Sequence, residues 1–122
     1  MMGLPAGVRI WLVAGATDFR KGTDSLCALV QTTLADNPLS GQVFIFRGRR
    51  ADKVKILWHE ADGLCLYCKR LDRGKFVWTQ TVSGTVLLSG AQLSMLLEGI
   101  DWRRPERTAV REIDPTPPTL TV

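Results

Sequence analysis

The spacing of apolar residues changes abruptly along this chain. In residues 23–36, apolar side chains recur every three or four positions, which is the pattern of a helix with one buried face. The positions on that face are Leu26, Leu29, Val30, Thr33 and Leu34. Thr23 or Asp24 suits the N-cap, and Pro38 cannot continue a helix. The pattern predicts an amphipathic helix from Thr23 to about Asp36.

After this helix the hydrophobic period shortens to two. Between Gln42 and Trp78, short runs of β-branched and aromatic residues are separated by glycine-containing breaks. The breaks lie at residues 48–52, 61–63 and 72–74. Runs of this kind, closed by tight turns, are typical of antiparallel strands joined in a meander. The four runs therefore predict four consecutive strands.

Three further segments complete the expected fold. Residues 8–13 predict an early strand, residues 82–89 a further strand or extended segment, and residues 91–98 a second short helix that Gly99 ends. The class is α+β, with an antiparallel β-meander of four or more strands and the first helix packed on its apolar face. We expect one domain over residues 1–102 and a disordered, charged, proline-rich tail over residues 103–122.

Positive charge is concentrated in the predicted meander. The stretch from Gln42 to Trp78 carries nine Lys/Arg against four acids, whereas the whole chain has a net charge of +4. A localised basic surface suits an anionic partner, nucleic acid above all. The candidate nucleic-acid-binding residues are Arg20, Lys21, Arg47, Arg49, Arg50, Lys53, Lys55, Tyr67, Lys69, Arg70, Arg73 and Lys75.

The hairpin between the second and third runs sharpens this hypothesis. A three-residue loop at residues 61–63, with Gly63 left-handed, would place Lys55 opposite Lys69, beside Arg70 and Tyr67. Like charges directly across a strand pair destabilise it, so a face that keeps them suits phosphates, with the tyrosine for stacking. The alternative is a solvated face whose charges are partly compensated by nearby acids.

The loop before the first helix offers a second candidate. Backbone N–H groups at a helix N-terminus attract anions, and Arg20 and Lys21 would strengthen that attraction. Asp18 could instead form an ion pair with Arg20 or cap a turn. The sequence leaves both interpretations open.

The residues do not favour an enzyme. Cys65 and Cys68 have half of a zinc-site spacing, but on a strand they point to opposite faces and no second pair follows. His59 opposite Cys65 would lack a third, orienting group, and the acids are scattered. We therefore expect no catalytic residue, no metal and no cofactor.

The location expected from sequence is the cytoplasm. Three cysteines, an odd number, fit a reducing compartment. No apolar run approaches the ~20 residues that span a membrane, and the first seven residues have no basic region typical of a secretory signal. The sequence predicts no membrane partner.

Several motifs, in order, carry a resemblance to a known family. T-D-F-R-K-G, P-L-S-G-Q-V-F-I-F-R-G-R-R-A-D-K-V-K-I-L-W, D-G-L-C-L-Y-C-K-R-L-D-R-G-K-F-V-W and Q-L-S-M-L-L-E-G-I-D-W span about residues 8–102. Together they resemble the TnpB accessory protein of insertion-sequence 66 family transposons, not the longer RNA-guided nucleases of the same name. The resemblance implies a bacterial protein encoded beside a separate transposase and needed with it for transposition.

Two functions follow as expectations. The first is a non-enzymatic DNA-binding subunit that works on transposon ends with the transposase and other proteins of the element. The alternative is a protein-interaction module whose basic residues bind acidic surfaces of the transposase without contacting DNA. Phosphate contacts weaken as a steep power of salt concentration, which separates the two.

Overall fold

Five strands and two helices make up the described part of the chain. The computed structural model describes residues 7–103. In chain order the elements are β1 (Ile10–Val13), α1 (Thr23–Thr32), β2 (Val43–Arg47), β3 (Lys53–Glu60), β4 (Gly63–Arg70), β5 (Thr85–Leu88) and α2 (Gly90–Leu97). The α+β class and the second short helix agree with the sequence. The predicted tail lies outside the described residues except for Arg103.

The strands form one mixed sheet in the order β4-β3-β2-β1-β5. β1 and β2 are parallel, and all other neighbours are antiparallel. Parallel neighbours need a crossover connection, and α1 lies within the one that joins β1 to β2. The antiparallel meander is therefore limited to β2, β3 and β4, while β5 joins the far edge beside β1.

The fourth run of the predicted meander is not a strand. Residues 75–78 have no regular structure, and Phe76 and Trp78 are buried against the sheet instead. Two backbone hydrogen bonds redirect the chain, from Leu71 N–H to the Asp52 carbonyl (2.8 Å) and from Phe76 N–H to the Ala51 carbonyl (2.7 Å). In residues 75–78, alternate apolar side chains cover a face of the sheet. The same alternation is typical of a strand paired in a sheet, so the spacing alone does not distinguish the two arrangements.

Both faces of the sheet carry apolar core. On one, here called the α2 face, Leu12, Ile45 and Ile56 cluster with Leu93 and Leu96 of α2. Phe76, Trp78 and Trp102 join the same cluster. A strand buried on both faces reads as an unbroken apolar run, and β2 does so in V-F-I-F. The expectation of a single apolar face was wrong for this reason.

The second face, here called the α1 face, holds a smaller cluster. Phe44, Phe46 and Leu57 pack there with Leu26 and Val30 of α1. These helix positions are four residues apart, so they lie on one side of the helix. The helix itself ends at Thr32 rather than near Asp36.

The β3–β4 hairpin has a two-residue loop. Glu60 pairs with Gly63, and Ala61 (φ 52°), not Gly63, adopts the left-handed conformation. The predicted register was therefore wrong by one residue, and such a slip moves side chains to the other face. Lys55 lies opposite Cys68, whereas Lys69 lies opposite Val54.

No helix among residues 7–103 has the length and hydropathy needed to cross a bilayer.

Candidate nucleic-acid interface

Lys55 is committed to holding the loop between β1 and α1. Its Nζ donates hydrogen bonds to the carbonyl oxygens of Phe19 (2.9 Å) and Lys21 (2.8 Å). The same Nζ lies 4.8 Å from the centroid of the Phe19 ring, within cation–π range. A Cβ atom added to Gly48 would lie 3.5 Å from the Phe19 ring, so the ring packs over the backbone of this glycine. Lys55 therefore holds this loop against the sheet, and its predicted phosphate contact stays a prediction.

Lys69 has an equivalent role on the α2 face. Its Nζ donates to the Leu97 carbonyl at 2.7 Å, at the last residue of α2. Cations stabilise helix C-termini because unpaired carbonyls and the helix dipole make that end negative. Tyr67 lies opposite Ile56, on the α2 face and away from Lys55. The predicted row of Lys55, Lys69 and a stacking tyrosine therefore does not exist.

Arg47 lies at the end of β2 and is only half-exposed. Its guanidinium lies 5.9 Å from the centroid of the Trp78 ring. Nη1 donates to the carbonyls of Gly48 (3.2 Å) and Arg49 (3.4 Å), which fixes the plane of the group. Nε is buried and has no hydrogen-bond partner among the described residues. Arg47 is thus held by its own turn and by an aromatic face.

The loop of residues 14–22 is organised by an ion pair. Arg20 Nη2 lies 2.7 Å from Asp18 Oδ2, and Arg20 Nε is 3.1 Å from both carboxylate oxygens. The Arg20 backbone N–H also donates to Asp18 Oδ1 (2.9 Å). The side-chain hydrogen bonds from Arg20 hold the pKa of Asp18 well below its ordinary range. Of the interpretations left open by the sequence, the structure shows the Asp18–Arg20 pair.

Topology brings the basic loops to one end of the sheet, here called the basic end. β1, β2 and β4 finish there, and β3 begins there. The exposed cations of this end are Arg20, Arg49, Arg50, Arg70, Arg73 and Lys75, with Lys21 and Lys53 half-buried. Its acids are Asp18, Asp24, Asp52 and Asp72. The basic end keeps an excess of positive charge even after Arg20 is paired.

The opposite end of the sheet has a different charge. The β3–β4 turn there carries Glu60 and Asp62, and Asp36 accepts a hydrogen bond from Gln42 Nε2 at 3.2 Å. Arg9 and His59 also lie at this end. The molecule is therefore electrically asymmetric along its strands. An anion approaching from solution is attracted to the basic end.

The structure contains a pair of facing cations, formed by residues other than those that the sequence suggested. Lys53 lies directly opposite Arg70. Neither forms a salt bridge among residues 7–103. Facing cations on neighbouring strands destabilise the pair unless an anion compensates them. The sequence hypothesis placed Lys55 opposite Lys69, so the facing cations in the structure are a different pair from the predicted one.

The cysteines and the histidine do not form a reactive cluster. Cys65 lies opposite Trp58 and Cys68 opposite Lys55, so the two thiols lie on different faces, as the sequence predicted. His59 lies opposite Leu64, not Cys65. Within the described residues, no group of three or more His, Cys, Asp or Glu could hold a metal ion.

The gathering of loops at the basic end was missed at the level of sequence. The sequence feature that indicates it is the order of segments: an apolar strand, a glycine-bounded loop, a helix and a second, unbroken apolar strand. This is the order of a parallel β-α-β unit. Recognising that unit would have placed the loop of Arg20 and the turn of Arg49 side by side. A meander by itself does not predict that the loop of Arg20 lies next to the turn of Arg49.

Comparison with known proteins identifies the family of this chain. The model of the IS66 Orf2 like protein family matches residues 8–107. The chain belongs to the IS66 Orf2-like family. Uncharacterized protein y4hO of Sinorhizobium fredii is 50% identical over 107 residues, covering 86% of this chain and 93% of the relative. Uncharacterized protein y4jC of the same organism is 34% identical over 111 residues, covering 91% and 95%.

No solved structure matches the chain significantly. Membership of the IS66 Orf2-like family makes this a transposition-associated accessory protein. The family resemblance found in the sequence is thereby confirmed, over nearly the same residues.

Proposed function

We propose that this IS66 Orf2-like protein is a non-enzymatic DNA-binding subunit that acts on transposon ends in the cytoplasm, with the transposase and other proteins of its element. The observation that carries the proposal is the basic end of the sheet. Cations from the loop after β1, the β2–β3 turn and the segment after β4 meet there. They come from segments distant in sequence, so one surface could contact several phosphates at once.

The exposed cations of this surface are not engaged in contacts that stabilise the fold. Arg49, Arg50, Arg73 and Lys75 have exposed side chains in turns and loops. None forms a salt bridge within residues 7–103, in contrast to Arg20. Long, unpaired cations on short turns can adapt to a phosphate backbone at little cost to the core. We therefore assign the phosphate contacts to these four, with Arg70 and Lys53 beside them.

The proposal is tested by salt-dependent binding to duplex DNA that carries the terminal inverted repeats. Two double variants, Arg49→Ala with Arg50→Ala and Arg73→Ala with Lys75→Ala, each remove two charges from the basic end. If each lost cation was one phosphate contact, the slope of log K against log salt falls by up to about 1.8 per double variant. Fluorescence anisotropy over a salt series measures this slope.

The control removes the same charge elsewhere. Arg9→Ala with Arg103→Ala also removes two positive charges, but Arg9 lies at the opposite end and Arg103 is paired with Asp101. Its slope should stay close to that of the unmodified protein. Equal slopes for all three variants would overturn the DNA assignment. Loss of transposase capture in the basic-end variants, with DNA slopes unchanged, would instead establish the protein-interaction alternative.

A further inference from the structure

β4 is an edge strand that pairs on one side only among residues 7–103. All eight of its residues pair with β3 in one unbroken register, and it is the last strand in the order. It contains no proline, and its only charges are Lys69 and Arg70 at its end. Natural sheets usually protect such edges with short strands, bulges, prolines or central charges. The other edge, β5, has four residues and is short in this sense.

The free hydrogen-bonding groups of this edge can be assigned. The Leu71 N–H points toward β3, since it donates to the Asp52 carbonyl. Successive residues of a strand direct their backbone groups to opposite sides. The N–H and C=O groups of Leu64, Leu66, Cys68 and Arg70 therefore point away from β3, toward the free edge.

The charges at the two ends of β4 indicate which kind of strand could pair with its free edge. Glu60 and Asp62 stand at its beginning, and Arg70 stands at its end, facing Lys53. A parallel copy would place like charges side by side. An antiparallel copy would place acids beside bases and give the Lys53–Arg70 pair the anion it lacks. The strand is thus complementary to itself in one direction only.

We propose that two copies of this chain pair antiparallel through β4 and form a continuous ten-stranded sheet. A two-fold axis normal to such a ladder requires one residue to pair with its own copy. With Leu66 on the axis, Arg70 lies beside Asp62 of the second copy, and Leu64 lies opposite Cys68 of the second copy. An edge of eight residues buries less area than a standard interface, so we expect a dimer of micromolar affinity. The inference does not depend on the proposed DNA binding.

The first test compares two substitutions at one position of the full chain, without DNA. Cys68→Pro removes an outward N–H and leaves the hydrogen bonds to β3 in place, whereas Cys68→Ala keeps that N–H. Sedimentation equilibrium across the micromolar range should show dimers for the unmodified chain and Cys68→Ala. Cys68→Pro should weaken dimerisation at least about tenfold, because each copy loses one hydrogen bond across the axis and adds a proline ring to the interface. A monomeric unmodified chain, or equal affinities for both variants, would overturn the proposal.

A charge reversal keeps the test decisive if the proline variant does not fold. Asp62→Arg and Arg70→Asp should each weaken the dimer, and the two changes combined should restore it. Weakening by either single change that the double variant fails to reverse would contradict the antiparallel arrangement.

Cross-linking tests the register. With Cys27, Cys65 and Cys68 replaced by serine, Leu66→Cys should oxidise rapidly to a disulfide-linked dimer, because a residue on the axis has a Cα separation from its copy of about 5.5 Å, as disulfides require. Tyr67→Cys in the same background is the matched control, since its side chain points to the other face. Faster cross-linking through Tyr67→Cys would rule out the proposed axis.

Discussion

Two regions of this molecule use positive charge in opposite ways. On the faces of the sheet, Lys55 and Lys69 donate to backbone carbonyls and hold a loop and a helix end in place. In the turns of the basic end, Arg49, Arg50 and Lys75 are exposed and form no salt bridge among the described residues. Formal charge in the sequence therefore does not equal charge available to a partner. The structure divides one basic stretch into an internal group and a surface group.

The division has a physical cause. Loop and helix ends leave carbonyl groups without intrinsic partners, and a half-buried ammonium satisfies them while its methylene stem covers apolar surface. Such a lysine is a component of the fold. Arg49 and Arg50 lie in the connection between β2 and β3 (residues 48–52), donate no side-chain hydrogen bond among the described residues and remain in solvent. Stability measurements should separate the two groups more clearly than binding measurements.

The largest effect should come from Lys55→Met. The substitution keeps the stem and removes the two hydrogen bonds to the loop of residues 14–22, as well as the contact with the Phe19 ring. Charge-assisted hydrogen bonds that lose their donor cost more than neutral ones, so we expect a loss of about 2 kcal/mol in the free energy of unfolding. Urea denaturation measures it.

Lys75→Met is the matched control for that measurement. Lys75 is exposed at the same end of the sheet, and its replacement should change stability by less than about 0.5 kcal/mol. Equal effects of the two substitutions would remove the distinction between internal and surface lysines. A stabilised Lys55→Met variant would instead support repulsion among the cations of the sheet.

Lys69→Met should have an intermediate effect. One hydrogen bond, to the Leu97 carbonyl at 2.7 Å, is lost, and α2 loses the cation at its C-terminal end. We expect destabilisation of about 1 kcal/mol. Amide hydrogen exchange should show the loss as reduced protection in the last turn of α2. Reduced protection in α1 but not in α2 would contradict the assigned contact.

The smallest effect should come from Asp18→Asn and depends on pH. The pKa of Asp18 is lowered in the folded protein, chiefly by the Arg20 side chain. A lowered pKa stabilises the fold above the ordinary carboxyl pKa of about 3.9, and this contribution is lost as pH falls through the folded value. The difference in melting temperature between the unmodified protein and Asp18→Asn should therefore shrink in strong acid.

Arg20→Ala provides the partner control for this pH dependence. Because the two side chains act on each other, removing the guanidinium should reproduce the pH profile of Asp18→Asn. Both residues are exposed, so salt should reduce the effect of either change. A pH profile that differs between the two variants would show that the loop is held by another contact.

The sequence by itself determined the local elements and the family. The helix that begins at Thr23, the breaks at residues 48–52 and 61–63 and the strands between them follow from apolar period and turn chemistry, which depend on near neighbours in the chain. The same local patterns carried the resemblance that the family comparison confirmed. The excess of positive charge was also visible, because composition needs no structure.

Only the tertiary structure decided which residues share a surface. One residue of loop length, with Ala61 rather than Gly63 left-handed, moved Lys69 to the opposite face from Lys55. The parallel pairing of β1 with β2 brought the loop of Arg20 to the turn of Arg49. Register and strand order depend on contacts between segments far apart in sequence. The hydrophobic period of a strand is equally compatible with either hairpin register and with parallel or antiparallel neighbours.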